Sequence, residues 1–117
     1  MKIIVTGSHD FKNESILSEV LRDYTRNNQV SKIALGQQQG AETMTAEWAM
    51  KNDIQLAIVP TNSSSKDEEA YIKRNAKLIE THKDAVAILH FVGSKVSEDL
   101  CRRSFEYDIP VDDVFVG

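Results

Sequence analysis

The sequence predicts an α/β fold: a three-layer Rossmann-like domain with a five-stranded, mainly parallel sheet and about four helices on both faces. Three observations carry this. Short apolar, β-prone runs recur along the chain, helical patterns lie between them, and the order alternates strictly from strand to helix to strand. Strict alternation implies parallel strands joined by right-handed crossovers, with helices on both faces.

The apolar runs are residues 2–6 (KIIVT), 32–35 (KIAL), 55–59 (QLAIV), 85–92 (AVAILHFV) and 113–116 (DVFV). None alternates cleanly, which suits strands covered on both faces. Residues 14–26 place Ile16, Leu17, Val20, Leu21 and Tyr24 at helical spacing, giving one apolar face. Residues 41–51 place Met44, Ala46, Trp48 and Ala49 on a second helix. Residues 66–82 carry Ala70, Ile72, Leu78 and Ile79 among many charges, and 96–107 carry Leu100, Cys101, Ser104 and Phe105. The polar run 61–66 (TNSSSK) predicts a loop before the third helix. With no internal repeat or linker, residues 1–117 are expected to form a single domain.

Composition narrows the function. The 117 residues are 41% hydrophobic and 27% charged, as in a soluble globular chain. A domain this size buries roughly two-thirds of its unfolded surface, enough for a core. The net charge of −4 argues against a general nucleic-acid binder, which carries a basic stripe. It leaves room for a small anion held by backbone amides. The single Cys101 excludes an intramolecular disulfide and a four-thiolate zinc site, and reads as a small apolar helix residue. His9, His82 and His90 lack ligand spacing with one another or with Cys101, so no metal is expected, and no cofactor. The N-terminal apolar run is too short for a signal peptide and no run approaches ~18 residues, so the expectation is a cytoplasmic protein without a membrane partner.

In parallel sheets of this kind, ligands bind beyond the carboxyl ends of the strands. Four segments would meet there. In the first, Gly7 allows a close turn, Ser8 offers a hydrogen bond and His9 a charge at low pH; a plain strand-to-helix turn is the alternative. The second is the loop Gly36-Gln37-Gln38-Gln39-Gly40 running into Ala41 and Glu42. Unpaired amides at the helix start and the helix dipole favour an anion, whereas Glu42 competes for the same amides. This is neither a Walker loop nor G-x-G-x-x-G. The third is Lys73-Arg74-Asn75, where Arg74 can reach the cleft and grip phosphate through two nitrogens, or else lie on a solvated face. The fourth is the stretch from Gly93 through Ser94 to Ser97, where the serines are helix caps or phosphate donors.

These segments, in this order, resemble the SLOG superfamily, the Rossmann-like group named after the Smf/DprA proteins and the LOG nucleotide phosphoribohydrolases. The resemblance is closest to the small YspA-like branch and covers nearly the whole chain. The branch motif T-G-S-R-D-F is met by Thr6-Gly7-Ser8-His9-Asp10-Phe11. Its G-G-A-R-G-A-D loop and following W-A are met at Gly36, Gly40, Ala41, Trp48 and Ala49, with Gln37, Gln39 and Glu42 as departures. Its R-N pair is met by Arg74-Asn75, and its G-G-x-G-T loop by Gly93 and approximately Ser97, with Ser94 and Val96 replacing glycines.

The resemblance implies a nucleotide-like ligand at Gly7, Ser8, His9, Gly36, Gln39, Gly40, Ala41, Glu42, Arg74, Asn75, Gly93, Ser94 and Ser97. It also implies homo-oligomers and a bacterial or phage source. Val96, Leu100 and Phe105 are apolar candidates for a subunit contact, with a place in the core as their first reading. The LOG glutamate that assists cleavage of the base–ribose bond falls on Leu100, which cannot act as an acid. The expected function is therefore sensing or sequestration of a nucleotide-derived ligand. A partner-binding scaffold with a vestigial cleft comes second. A nucleoside-phosphate hydrolase using Asp10, Glu42 or Glu98 comes third.

Overall fold

Five apolar runs become five strands in the computed structural model, which describes residues 1–61 and 67–115. The order is β1 (Lys2–Gly7), α1 (Glu14–Asn27), β2 (Lys32–Leu35), α2 (Ala41–Lys51), β3 (Gln55–Ile58), α3 (Glu68–Thr81), β4 (Ile88–Phe91), α4 (Lys95–Arg103) and β5 (Val111–Val114). All strand pairings are parallel, in the spatial order β3-β2-β1-β4-β5. Central β1 aligns Ile4 with Ala34 on one side and with Ile88 on the other. The chain builds outward from β1 through β2 to β3, then returns to the other side of β1 for β4. The switch point lies between the ends of β1 and β4, where successive connections diverge and leave a crevice.

The alternating burial of β1 explains the layers. Ile3 and Val5 face a core shared with Leu17 and Leu21 of α1, Ala41 and Ala49 of α2, Leu89 and Phe91. Ile4 faces the opposite core with Leu78 and Ile79 of α3, Leu100 of α4 and Ile88. Each fully buried Ile or Leu contributes about 1.5–3 kcal/mol of transfer free energy. The edge strands β3 and β5 are only partly covered, unlike the three central ones. Among the described residues no helix is long and apolar enough to cross a membrane.

Several boundaries differ from the sequence expectation. The fourth helix ends at Arg103 and tightens into a 3-10 turn, Ser104–Tyr107, closed by Asp108 at φ 55°. Pro110 follows and cannot continue a helix. Phe105 is 81% exposed, which corrects its assignment to the core; Val96 and Leu100 are buried as expected. Ile72 is only half-buried, and Tyr71 is the buried neighbour. The fourth strand is shorter than its apolar run, although the Ala87 carbonyl already accepts from the Ile4 amide. The fifth strand starts two positions early, directly after Pro110. The third helix begins at Glu68, capped by the Asp67 side chain accepting from the Ala70 amide. The predicted loop at 61–66 lies, beyond Thr61, outside the described residues.

Candidate functional site

Three strand-end segments converge on Ser8. Its amide donates to the Phe91 carbonyl at 3.0 Å, and its own carbonyl accepts from the amides of Ala41 at 3.1 Å and Phe11 at 3.2 Å. Such proximity needs glycine. Gly40 has φ 104°, and a Cβ there would run into the Ser8–His9 backbone; Gly7 is wedged between the side chains of Ala41 and Phe91. The Ala41 amide, predicted to hold an anion, is thus engaged by Ser8. One amide of the predicted phosphate seat at the start of α2 is therefore taken by the protein's own backbone.

Beneath this surface lies a buried carboxylate. Glu42 accepts from Nη1 and Nη2 of Arg74 at 2.9 and 3.1 Å, from the Thr6 hydroxyl at 3.1 Å and from the Gln38 amide at 3.0 Å. Four donors on two oxygens satisfy the ion without water. Arg74 Nη2 also donates to Asn75 Oδ1, and Asn75 Nδ2 donates to the Val96 carbonyl at 2.8 Å and to Asp99. The chain of bonds therefore ties β1, the loop after β2, α2, α3 and α4 together. The sequence expectation had Arg74 reaching out to phosphate. Instead its side chain is fully buried, with both terminal nitrogens on Glu42 and Cζ 5.5 Å from the Tyr71 ring centre. Asn75 and Glu42 likewise brace the site from below.

The open space is a cavity of ≈ 190 Å³ above this network, lined by His9, Gln38, Glu68, Tyr71, Ser94, Lys95 and Val96. Of the predicted binding residues, the structure brings His9 and Ser94 to it. Gly93, at φ 147°, lies close against Ser8. Ser8 faces a neighbouring depression with Asp10, Phe11, Lys12, Asn13 and Val92. Gln39 is exposed, while Gly36 is packed against Arg74. Gln38, which sequence reasoning passed over, is the more informative residue. It is only 7% exposed, and its Oε1, which shows almost no accessible surface, has no hydrogen-bond partner among the described residues. A buried unpaired acceptor costs about 1–3 kcal/mol, and once the side chain turns into the cavity a ligand N–H or O–H would relieve it. Tyr71 and Lys95 were also missed. The only signal available was that Tyr71 precedes Arg74 by one helical turn and Lys95 opens a helix.

Ser97 is fully buried and does not reach the cavity. Its hydroxyl lies 2.8 Å from His90 Nε2, and His90 Nδ1 lies 2.8 Å from Asp113 Oδ1. Leu100, at the LOG glutamate position, is fully buried in the α3–α4 core. Glu98 lines a second cavity of ≈ 380 Å³ with His90, Val92, Cys101, Arg102, Phe105, Val111, Asp113 and Phe115. There burial first, then the charges of Asp113 and Glu98, push the Cys101 thiol up to about 12.

Fold and site together define a Rossmann-like α/β domain with a small polar cavity at its topological switch point. Residues 1–65, more than half of the chain, match the family described as YspA, cpYpsA-related SLOG (YAcAr), and the chain belongs to that family. A comparison with curated proteins finds no match.

Proposed function

We propose that the switch-point cavity binds a nucleotide or nucleotide-derived small molecule, and that the protein senses or sequesters it without cleaving the base–ribose bond. The observation that carries this reading is Gln38 on the cavity wall, whose buried Oε1 has no partner among the described residues. Turned into the cavity, its amide accepts from a donor such as a ribose hydroxyl or an exocyclic amine. Lys95 and His9 supply groups for an anionic part of the ligand, and family membership favours a nucleotide. The absence of a carboxylate at Leu100 speaks against LOG-type cleavage. Analogy at the level of the family sets the ligand class, and the site supplies the chemistry.

The test incubates the purified protein with mono-, di-, cyclic and ADP-ribose-type nucleotides and reads both bound and free fractions by mass spectrometry. An intact nucleotide retained by the protein supports the reading. A free base or sugar phosphate in solution makes the protein a hydrolase, and Asp10, Glu42 and Glu98 would then be the acids to substitute. Glu42 would need release from Arg74 first.

A second reading, a partner-binding scaffold, is favoured by one observation: Phe105 and Phe115 are 81% and 76% exposed beside the second cavity. It predicts that nothing in the nucleotide pool is retained while a protein partner or a second copy protects both rings from solvent.

A further inference from the structure

We propose that Ser94 is a nucleophile, acylated in the switch-point cavity with the aid of a hydrogen-bonded relay through Ser97 to His90 and Asp113. This goes beyond nucleotide binding and does not depend on it.

The geometry has a direction. The Ser94 hydroxyl donates to Ser97 Oγ at 3.0 Å, and Ser97 Oγ lies 2.8 Å from His90 Nε2. His90 Nδ1 lies 2.8 Å from Asp113 Oδ1. With the proton of His90 on Nδ1, facing the carboxylate, Nε2 is an acceptor within reach of the Ser97 hydroxyl, to which the Ser94 hydroxyl donates in turn. The same ordering of hydroxyl, imidazole and carboxylate activates serine nucleophiles on unrelated folds, here with one extra hydroxyl between serine and histidine. The Ser97 amide donates to Ser94 Oγ at 3.2 Å, which fixes the nucleophile's position. Ser97 Oγ also approaches the Ser94 carbonyl at 3.1 Å, an alternative acceptor that competes with the relay. Burial isolates the middle of this chain. Ser97 and His90 are 0% and 3% exposed, whereas Ser94 lines the cavity and Asp113 opens to the other side of the sheet end. A cap alone requires only Ser94 and the Ser97 amide; it gives no role to the buried histidine and its carboxylate.

In the step proposed, Ser94 Oγ attacks the carbonyl carbon of a small activated ester. Its proton passes to Ser97 Oγ as the Ser97 proton passes to His90 Nε2, and Asp113 stabilises the resulting imidazolium. The carbon–oxygen bond to the leaving group breaks, and that group departs as an anion with the bonding pair. The products are acyl-Ser94, the anion and one proton on His90, later released to solvent. The first amides of α4, at Lys95 and Val96, have no partner within the helix and are the donors available to the developing oxyanion. The ligand class is an acyl group on a leaving group stable as an anion, such as a phenolate or a phosphate.

The experiment uses p-nitrophenyl acetate with the whole chain, reading nitrophenolate release and the acetylated residue by peptide mass mapping. The expected result is one acetyl group on Ser94, absent in Ser94→Ala and formed about 10²-fold more slowly in Ser97→Ala and His90→Gln. Melting curves establish that each variant is folded. Should His90→Gln not fold, Asp113→Asn, which alters a half-exposed carboxylate, takes its place and is expected to slow acetylation as well. Acetyl found on Lys95 with Ser94 free, a Ser94 rate equal to that of the urea-unfolded chain, or equal rates in the folded relay variants would overturn the proposal.

Discussion

Glu42 and Arg74 face each other in a fork of two hydrogen bonds, 2.9 and 3.1 Å long, with neither side chain more than 1% exposed. The two residues stand 32 positions apart, one at the start of α2 and the other in the middle of α3, which pack on opposite faces of the sheet. Their pairing closes the carboxyl end of the sheet from beneath.

Removing either partner leaves a buried charge with its desolvation uncompensated, at a cost of about 3–5 kcal/mol. Glu42→Gln and Arg74→Met should each lower the urea midpoint strongly. The double variant should lose much less than the sum of the two. Additive losses would mean that the pair is not coupled.

Gly36 has no room for a side chain, because a Cβ there would fall inside the Arg74 guanidinium. Gly36→Ala should therefore destabilise the protein nearly as much as truncating Arg74. In the Arg74→Ala background the same substitution should cost much less, leaving only the approach to Glu42 Oε1, as a thermal melt of the four proteins would show.

His82 gives a pH dependence of known sign. Burial lowers its value below the ordinary 6.5, with Lys2 and Lys32 lowering it further and Asp84 opposing. Between the lowered folded value and 6.5 the unfolded chain holds more protons, so stability rises with pH through that window and is lost as pH falls. His82→Gln should flatten that rise. Urea midpoints at about pH 5 and about pH 7.5 would converge in the variant more than in the parent.

Cys101 should resist alkylation. With its thiol at about 12 instead of 9.0, the thiolate fraction near neutrality falls roughly a thousand-fold. Iodoacetamide should modify it far more slowly than free cysteine until urea unfolds the chain. Rapid labelling of the native protein would place the thiol in a more open setting.

The fold was legible because each level of the sequence agreed. Apolar runs, helical spacing and the glycine that ends β1 all pointed to one alternating topology, and only boundaries moved. The Pro110 turn, for instance, shortened α4 and advanced β5. The site was legible only in outline. Periodicity cannot show which of two charged residues will pair, so Glu42 and Arg74 read separately as a rival for the helix-start amides and a phosphate grip. Their 32-residue separation hid the ion pair that occupies both. Gln38 was hidden for the converse reason: within three consecutive glutamines, only the backbone decides which one turns inward.

The most direct test of the account is thermal unfolding of the parent and of Gln38→Leu with each nucleotide in turn. At a hundred times its dissociation constant a ligand stabilises its host by ~2.7 kcal/mol, which a melt resolves easily. The account predicts that at least one nucleotide raises the melting temperature of the parent and that Gln38→Leu largely abolishes the rise. An equal rise in both proteins, or none with any nucleotide, would contradict it.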